Sequence, residues 1–187
     1  MSGTEPSPKA PATLHIVVMG VSGSGKTTLA RAIAEKTGWQ LQEADDLHPE
    51  GALEILQDGR LPAEHHRKKW LGTVRDWIAG EAAKGNNTVT ACTALRIDHR
   101  EILSDIGEGA TVFYVHLYGT EDVLAERMEN RVGDVDMPRE LLVAQLEDLQ
   151  RLTPGEKGIQ LDVRRTPEQL LDDSLNAAMF AQKAYSS

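Results

Sequence analysis

The run Gly20-Val21-Ser22-Gly23-Ser24-Gly25-Lys26-Thr27 fits the spacing G-x-x-x-x-G-K-[ST] at every fixed position. Glycines let so short a loop take positive φ and turn successive backbone N–H groups toward one anion, while Lys26 adds a mobile cation and Thr27 offers a hydroxyl to Mg²⁺. The flanks suit the same use. Residues 14–19 form a β-branched apolar run and residues 26–36 read as a helix. The helix begins with Lys26, Thr27 and Thr28, where unpaired N–H groups and the helix dipole attract phosphate. The implied ligand is a nucleoside triphosphate, ATP in the first instance, cradled by residues 20–28.

A triphosphate donor needs an acceptor held in line and, in most such reactions, a carboxylate to take its proton. In open α/β sheets ligands gather at the carboxyl ends of the strands. After the second apolar run stands Ala44-Asp45-Asp46-Leu47-His48-Pro49, whose two carboxylates could bind acceptor hydroxyls, orient hydrated Mg²⁺ or accept a proton. Asp45 is the preferred base; the bland alternative is a pair of aspartates that open a turn. Further on, Arg67 can fork onto a carboxylate or phosphate, whereas Lys68 and Lys69 read as a solvated helix face. Trp70 and Trp77 lie one heptad apart; Trp77 reads as core and Trp70 as core or pocket wall. The third run ends in Cys92-Thr93-Ala94-Leu95-Arg96, which puts a hydroxyl and a cation near the same loops, with Cys92 itself an unreactive buried residue. Arg127 and Arg131 are four apart on one helix face leading into a short loop, suited to swing over the triphosphate, Arg131 in a catalytic role. The six histidines (15, 48, 65, 66, 99 and 116) lack zinc-ligand spacing.

These residues need a scaffold. With 187 residues the chain suits one domain, and its formal charge of −9 argues against nucleic acid or an anionic membrane surface as a partner. A single cysteine excludes an internal disulfide and suits the cytoplasm. No apolar stretch approaches the roughly 20 residues of a membrane span. Residues 1–12 carry three prolines among polar residues and read as a flexible tail, leaving 13–187 as the domain. Strands are predicted at 14–19, 40–44, 88–92, 111–117 and 159–163, and helices at 26–36, 64–83, 98–105, 120–131, 138–150 and 167–183. Such alternation predicts an α/β fold with a five-stranded parallel sheet covered by helices on both faces. Thr166-Pro167-Glu168-Gln169 is a capping box, and Gly38 and Gly85 are helix stops. Two segments break the rhythm, 49–62 and 132–137, where an acceptor flap (about 45–70) and a lid (about 132–138) would sit.

Taken together, the chain from Ile16 to its last helix resembles the gluconate kinases of the thermoresistant type. The resemblance rests on Met19 through Lys26, Asp45-Asp46-Leu47-His48-Pro49, Gly59, Arg67 with Trp70-Leu71, Cys92-Thr93-Ala94-Leu95 with Arg100, Arg127 with Arg131 and Gly133, and Leu141-Leu142 with Gln145. It implies a P-loop kinase fold like that of nucleoside monophosphate kinases, ATP and Mg²⁺, transfer to the 6-hydroxyl of D-gluconate, and a homodimer. It also implies that Asp45, His48, Arg67, Thr93 and Arg96 face the acceptor. The acceptor half departs from the family pattern: Ala52 and Ile55-Leu56 replace an Asn and a Lys-Met pair. Glu64 and His66 stand where aspartates are usual, Arg96 and His99 replace a Lys and a Tyr, and Gly133-Asp134-Val135 replaces Gly-His-Phe. The ATP half matches throughout, so the acceptor is the open question, with another hydroxylated acceptor or a non-catalytic nucleotide-binding regulator as the alternatives.

Overall fold

Leu14, Ile16 and Val18 face one side of the first strand and Val17 and Met19 the other, and all five are buried. A strand apolar on both faces belongs in the middle of a covered sheet. The computed structural model, which describes residues 12–131 and 137–185, places it there. The five strands are β1 (Thr13–Met19), β2 (Gln40–Glu43), β3 (Thr88–Ala91), β4 (Ala110–Tyr118) and β5 (Gly158–Asp162), all parallel, in the order β2-β3-β1-β4-β5. In register, Val18 lies between Ala91 and Val115, so the carboxyl ends of β1, β3 and β4 finish side by side.

One face is covered by α1 (Lys26–Thr37) and α7 (Pro167–Tyr185), whose Leu29, Ala30, Ile33, Leu175 and Ala178 meet Ile16 and Val18. The other is covered by α3 (Glu64–Ala83) and α4 (Ile97–Ser104), through Leu71, Val74, Ile78 and Leu103. The helices α5 (Glu121–Glu129) and α6 (Arg139–Asp148) add Leu124 and Leu142 to the first cluster. The capping box forms in both directions: Thr166 N–H donates to Gln169 Oε1 at 3.0 Å and Gln169 N–H to Thr166 Oγ1 at 3.2 Å.

The expected strands and helices are all present, with two additions and one correction. Residues Ala44–Leu47 form a 3-10 turn and α2 (Ala52–Gln57) is a six-residue helix inside the expected flap. Both are too short to show a hydrophobic period. The helix expected over 120–131 stops at Glu129, with Asn130 as its C-cap, so Arg131 lies beyond the helix that carries Arg127. The tail over 1–11 and the lid over 132–136 fall outside the described residues. No helix among them is long and apolar enough to cross a membrane.

Candidate active site

The glycine loop links β1 to α1, and its shape is set by what packs behind it. At Gly23 φ is +80°, and a Cβ there would stand 2.7 Å from the Leu124 carbonyl oxygen, so only glycine lets α5 approach. That approach brings Arg127 over the loop: its Nε donates to the Gly23 carbonyl at 3.1 Å and an Nη to the Val163 carbonyl at 3.4 Å. The N-cap of α1 is Gly25, which has no side chain with which to cap the helix, so the first-turn N–H groups of Lys26, Thr27 and Thr28 are offered to an anion. Ser24 is buried and its hydroxyl has no hydrogen-bond partner among the described residues. Lys26 Nζ folds back to donate to the Val21 carbonyl at 3.1 Å. Burial pushes its pKa below the usual lysine value, against the opposing pull of Asp45 and Glu43.

Thr27 donates its hydroxyl to Glu43 Oε2 at 2.7 Å. Burial raises the Glu43 pKa; the Thr27 hydrogen bond lowers it in part and the neighbouring Asp45 charge raises it further. A hydroxyl and a carboxyl oxygen beside the glycine loop form a hard-oxygen donor set of the kind Mg²⁺ takes. Sequence reading missed Glu43, since it is merely the last residue of a strand until β2 and β1 are placed in one sheet.

The side expected to take the acceptor is built on the 3-10 turn after β2. Three residues per turn put positions i and i+3 on one side, and so His48 Nε2 comes 3.5 Å from Asp45 Oδ1. Burial tends to raise the Asp45 pKa, but the His48 hydrogen bond and the Lys26 charge outweigh it and hold the carboxyl below its usual value. From α3, Trp70 stacks on His48 with ring centroids 4.0 Å apart, while its Nε1 donates to the Ala44 carbonyl at 2.8 Å. Trp70 is thus pocket wall and core together. Trp77, half-buried, packs on the core of the same face. One turn before Trp70, Arg67 donates to Glu64 Oε2 at 3.2 Å and to Asp148 Oδ2 at 2.6 Å.

Thr93 arrives from the end of β3. Ala94, next to it, is held at φ +41°, which a side chain rarely adopts. Buried Arg100 secures the turn, donating to the Ala94 carbonyl at 2.9 Å and to Glu156 Oε1 at 2.6 Å. The Cys92 thiol is buried and pushed up to about 12, which removes it as a nucleophile.

Ser22, Lys26, Asp45, His48, Arg67 and Thr93 therefore line one cleft, together with Trp70, Gln145 from α6, and Leu56 and Leu61 from the flap. Gln145 had stood out in the sequence without a role; its Oε1 accepts the Ser22 N–H at 2.7 Å. Two of the expected acceptor and lid residues are not among the residues that line the cleft. Arg96 is off the cleft, bound to Asp98 at 3.2 Å and Asp148 at 3.4 Å. Arg131, exposed after α5, is near enough for its charge to act on Lys26. Lys68 and Lys69 are exposed, as a solvated face requires. Glu64, Asp98 and His99 cluster closely enough to suggest a cation site, yet Arg67, Lys68 and Arg96 already neutralise those carboxylates.

Comparison with known proteins gives this architecture a family. A family model described as an AAA domain matches residues 16–153. The gluconokinase of Gluconobacter oxydans (strain 621H) is 35% identical over 158 residues, 84% of this chain and 87% of the relative. Among solved structures, an unliganded sugar kinase from Janibacter sp. HTCC2649 superposes with a TM-score of 0.84 at 38% identity, covering 91% of this chain and 97% of that one. A gluconokinase from Sinorhizobium meliloti 1021 gives 0.81 at 30% identity over 94% and 97%. With its glycine loop, its Asp45–His48 turn and Arg67 on one cleft, the chain belongs to the gluconokinase family of P-loop kinases.

Proposed function

We propose that this protein transfers the terminal phosphoryl group of ATP to a hydroxyl of a small sugar acid, D-gluconate giving 6-phospho-D-gluconate. One observation carries the reading: Lys26 of the phosphate loop, the Asp45 carboxylate and the Arg67 guanidinium face a single cleft. The relatives named gluconokinase support the same acceptor. In this reading the loop N–H groups and Lys26 hold the triphosphate and Arg127 braces the loop from behind. Thr27, with Glu43 beside it, would hold Mg²⁺, which neutralises charge on the β- and γ-phosphates. Arg67 receives the acceptor carboxylate, while Thr93 and His48 bind its hydroxyls. Asp45 accepts the hydrogen bond of the attacking hydroxyl; as the new O–P bond forms and the bridge to ADP breaks, the proton passes to the Asp45 carboxylate. Arg131, whose charge reaches Lys26, would close over the triphosphate with a lid over about 132–138, and residues about 45–70 would form the acceptor flap. A homodimer in the cytoplasm is the assembly and setting that go with this reading.

An ADP-release assay across aldonic, aldaric and cyclic hydroxy acids, with Lys26→Ala as blank, tests it. Gluconate is expected to give the highest kcat/KM. No turnover above the blank with any aldonic acid would refute the assignment.

A further inference from the structure

We infer that Asp148 is a positioning residue of the acceptor pocket, whose carboxylate holds the Arg67 guanidinium in the orientation that receives a sugar acid's carboxylate. The inference rests on the sugar-acid reading above. Arg67 is 8% exposed and lines the cleft. One terminal nitrogen is tied to Asp148 Oδ2 at 2.6 Å and the other to Glu64 Oε2 at 3.2 Å. Each terminal nitrogen keeps a second N–H, so a guanidinium anchored at both ends still offers a fork, and one that cannot swing.

Asp148 is placed against local preference. It is the last residue of α6, and no basic residue occupies that helix's final turn. A carboxylate there opposes the helix dipole, so its partners must come from outside the helix, and they do. Its second oxygen faces an Nη of Arg96 at 3.4 Å. Two residues on, Gln150 grips the segment around Arg96 by both ends. Its N–H donates to the Leu95 carbonyl at 2.7 Å and its side-chain oxygen accepts the Ile97 N–H at 2.8 Å. The other acid on Arg67 is braced likewise, since Glu64 Oε1 meets buried His99 Nε2 at 2.8 Å.

The surrounding charges cancel: Lys68, Arg67 and Arg96 stand against Asp98, Glu64 and Asp148 in direct pairs. A balanced cluster exerts little long-range pull on an anion. Recognition of an acid then depends on the orientation of the Arg67 fork, which Asp148 sets. The same helix carries Gln145 one turn earlier on the Ser22 N–H, so α6 spaces the acceptor cation from the phosphate loop.

The test is steady-state kinetics of Asp148→Ala and Asp148→Asn with gluconate and ATP varied separately. Loss of a charged hydrogen bond predicts that alanine raises the gluconate KM about tenfold or more. The ATP KM and kcat should stay near wild type. Asparagine keeps an acceptor oxygen and is expected to restore most of the loss, leaving a rise of about threefold; it carries the test alone if the alanine variant does not fold. A gluconate KM unchanged in both variants, or an ATP KM rising in parallel, overturns the positioning role and leaves the gluconate assignment standing. A wild-type enzyme that ignores gluconate overturns both.

Discussion

The imidazole of His48 lies flat on the indole of Trp70, with planes 11° from parallel, and the same indole donates to the carbonyl of Ala44 at 2.8 Å. One side chain of α3 therefore fixes both ends of the turn that carries Asp45. Trp70→Phe keeps a ring under His48 but leaves a buried carbonyl without its donor, an expected loss of about 1–3 kcal/mol in urea unfolding. Trp70→Leu removes the stack as well. Its acceptor KM should rise more than that of the phenylalanine variant, with the ATP KM the same in both.

The Thr27–Glu43 contact bears on the proposed Mg²⁺ site. Thr27→Val preserves shape and removes the hydroxyl that Glu43 accepts at 2.7 Å. The expected outcome is a loss in kcat on the order of a hundredfold. The Mg²⁺ concentration for half-maximal rate should rise with it, measured by metal titration at saturating ATP.

Asp45 should be ionised across the neutral range. Its pKa is held below 3.8 in the folded protein, since the His48 hydrogen bond and the Lys26 charge outweigh burial. A depressed carboxyl stays charged as pH falls until its own low pKa, so Asp45 should add no acid limb to kcat/KM between about pH 5 and 7. His48→Phe keeps the stack and removes the hydrogen bond, and should move the acid limb upward. Asp45→Asn is expected to cut kcat by about 10²–10⁴-fold.

Two buried histidines make stability depend on pH. His15, between the hydroxyls of Thr88 at 2.7 Å and Thr13 at 2.8 Å, and His116, beside Gln160 at 3.2 Å, are each lowered by burial from 6.5 to about 4. In that window the unfolded chain binds protons that the native state does not, so stability should fall as pH drops from 6.5 toward 4. The slope is at most about 1.4 kcal/mol per pH unit for each histidine. Unfolding midpoints at a series of pH values test this, and His15→Gln should flatten part of the slope.

Where local chemistry decides, the chain was legible. The glycine loop, the capping box at Thr166 and the apolar runs of β1, β3 and β4 are each written in fewer than ten consecutive residues, and the structure follows them. Asp45 and Thr93 were readable as candidates because charged and hydroxyl groups at strand ends are the material of sites, Arg67 because a guanidinium forks onto anions, and His48 through the family resemblance. Less legible was anything that needed two distant segments. Nothing around Glu43, Gln145 or Asp148 signals a role until β2 lies beside β3 and α6 closes over both loops.

By itself, then, the sequence determined the donor side: a contiguous loop whose glycines, lysine and threonine dictate a phosphate cradle through backbone conformation alone. It determined the layered fold as well, since hydrophobic period is a local property. Tertiary structure decided which cation lines the cleft. Arg67 and Arg96 look alike in the chain, yet packing turns Arg67 into the cleft between Glu64 and Asp148 and leaves Arg96 outside it as the counter-charge of Asp148. The physical reason is that a guanidinium's role depends on which carboxylates reach it in space. Those partners lie 3 and 81 residues away for Arg67 and 2 and 52 for Arg96.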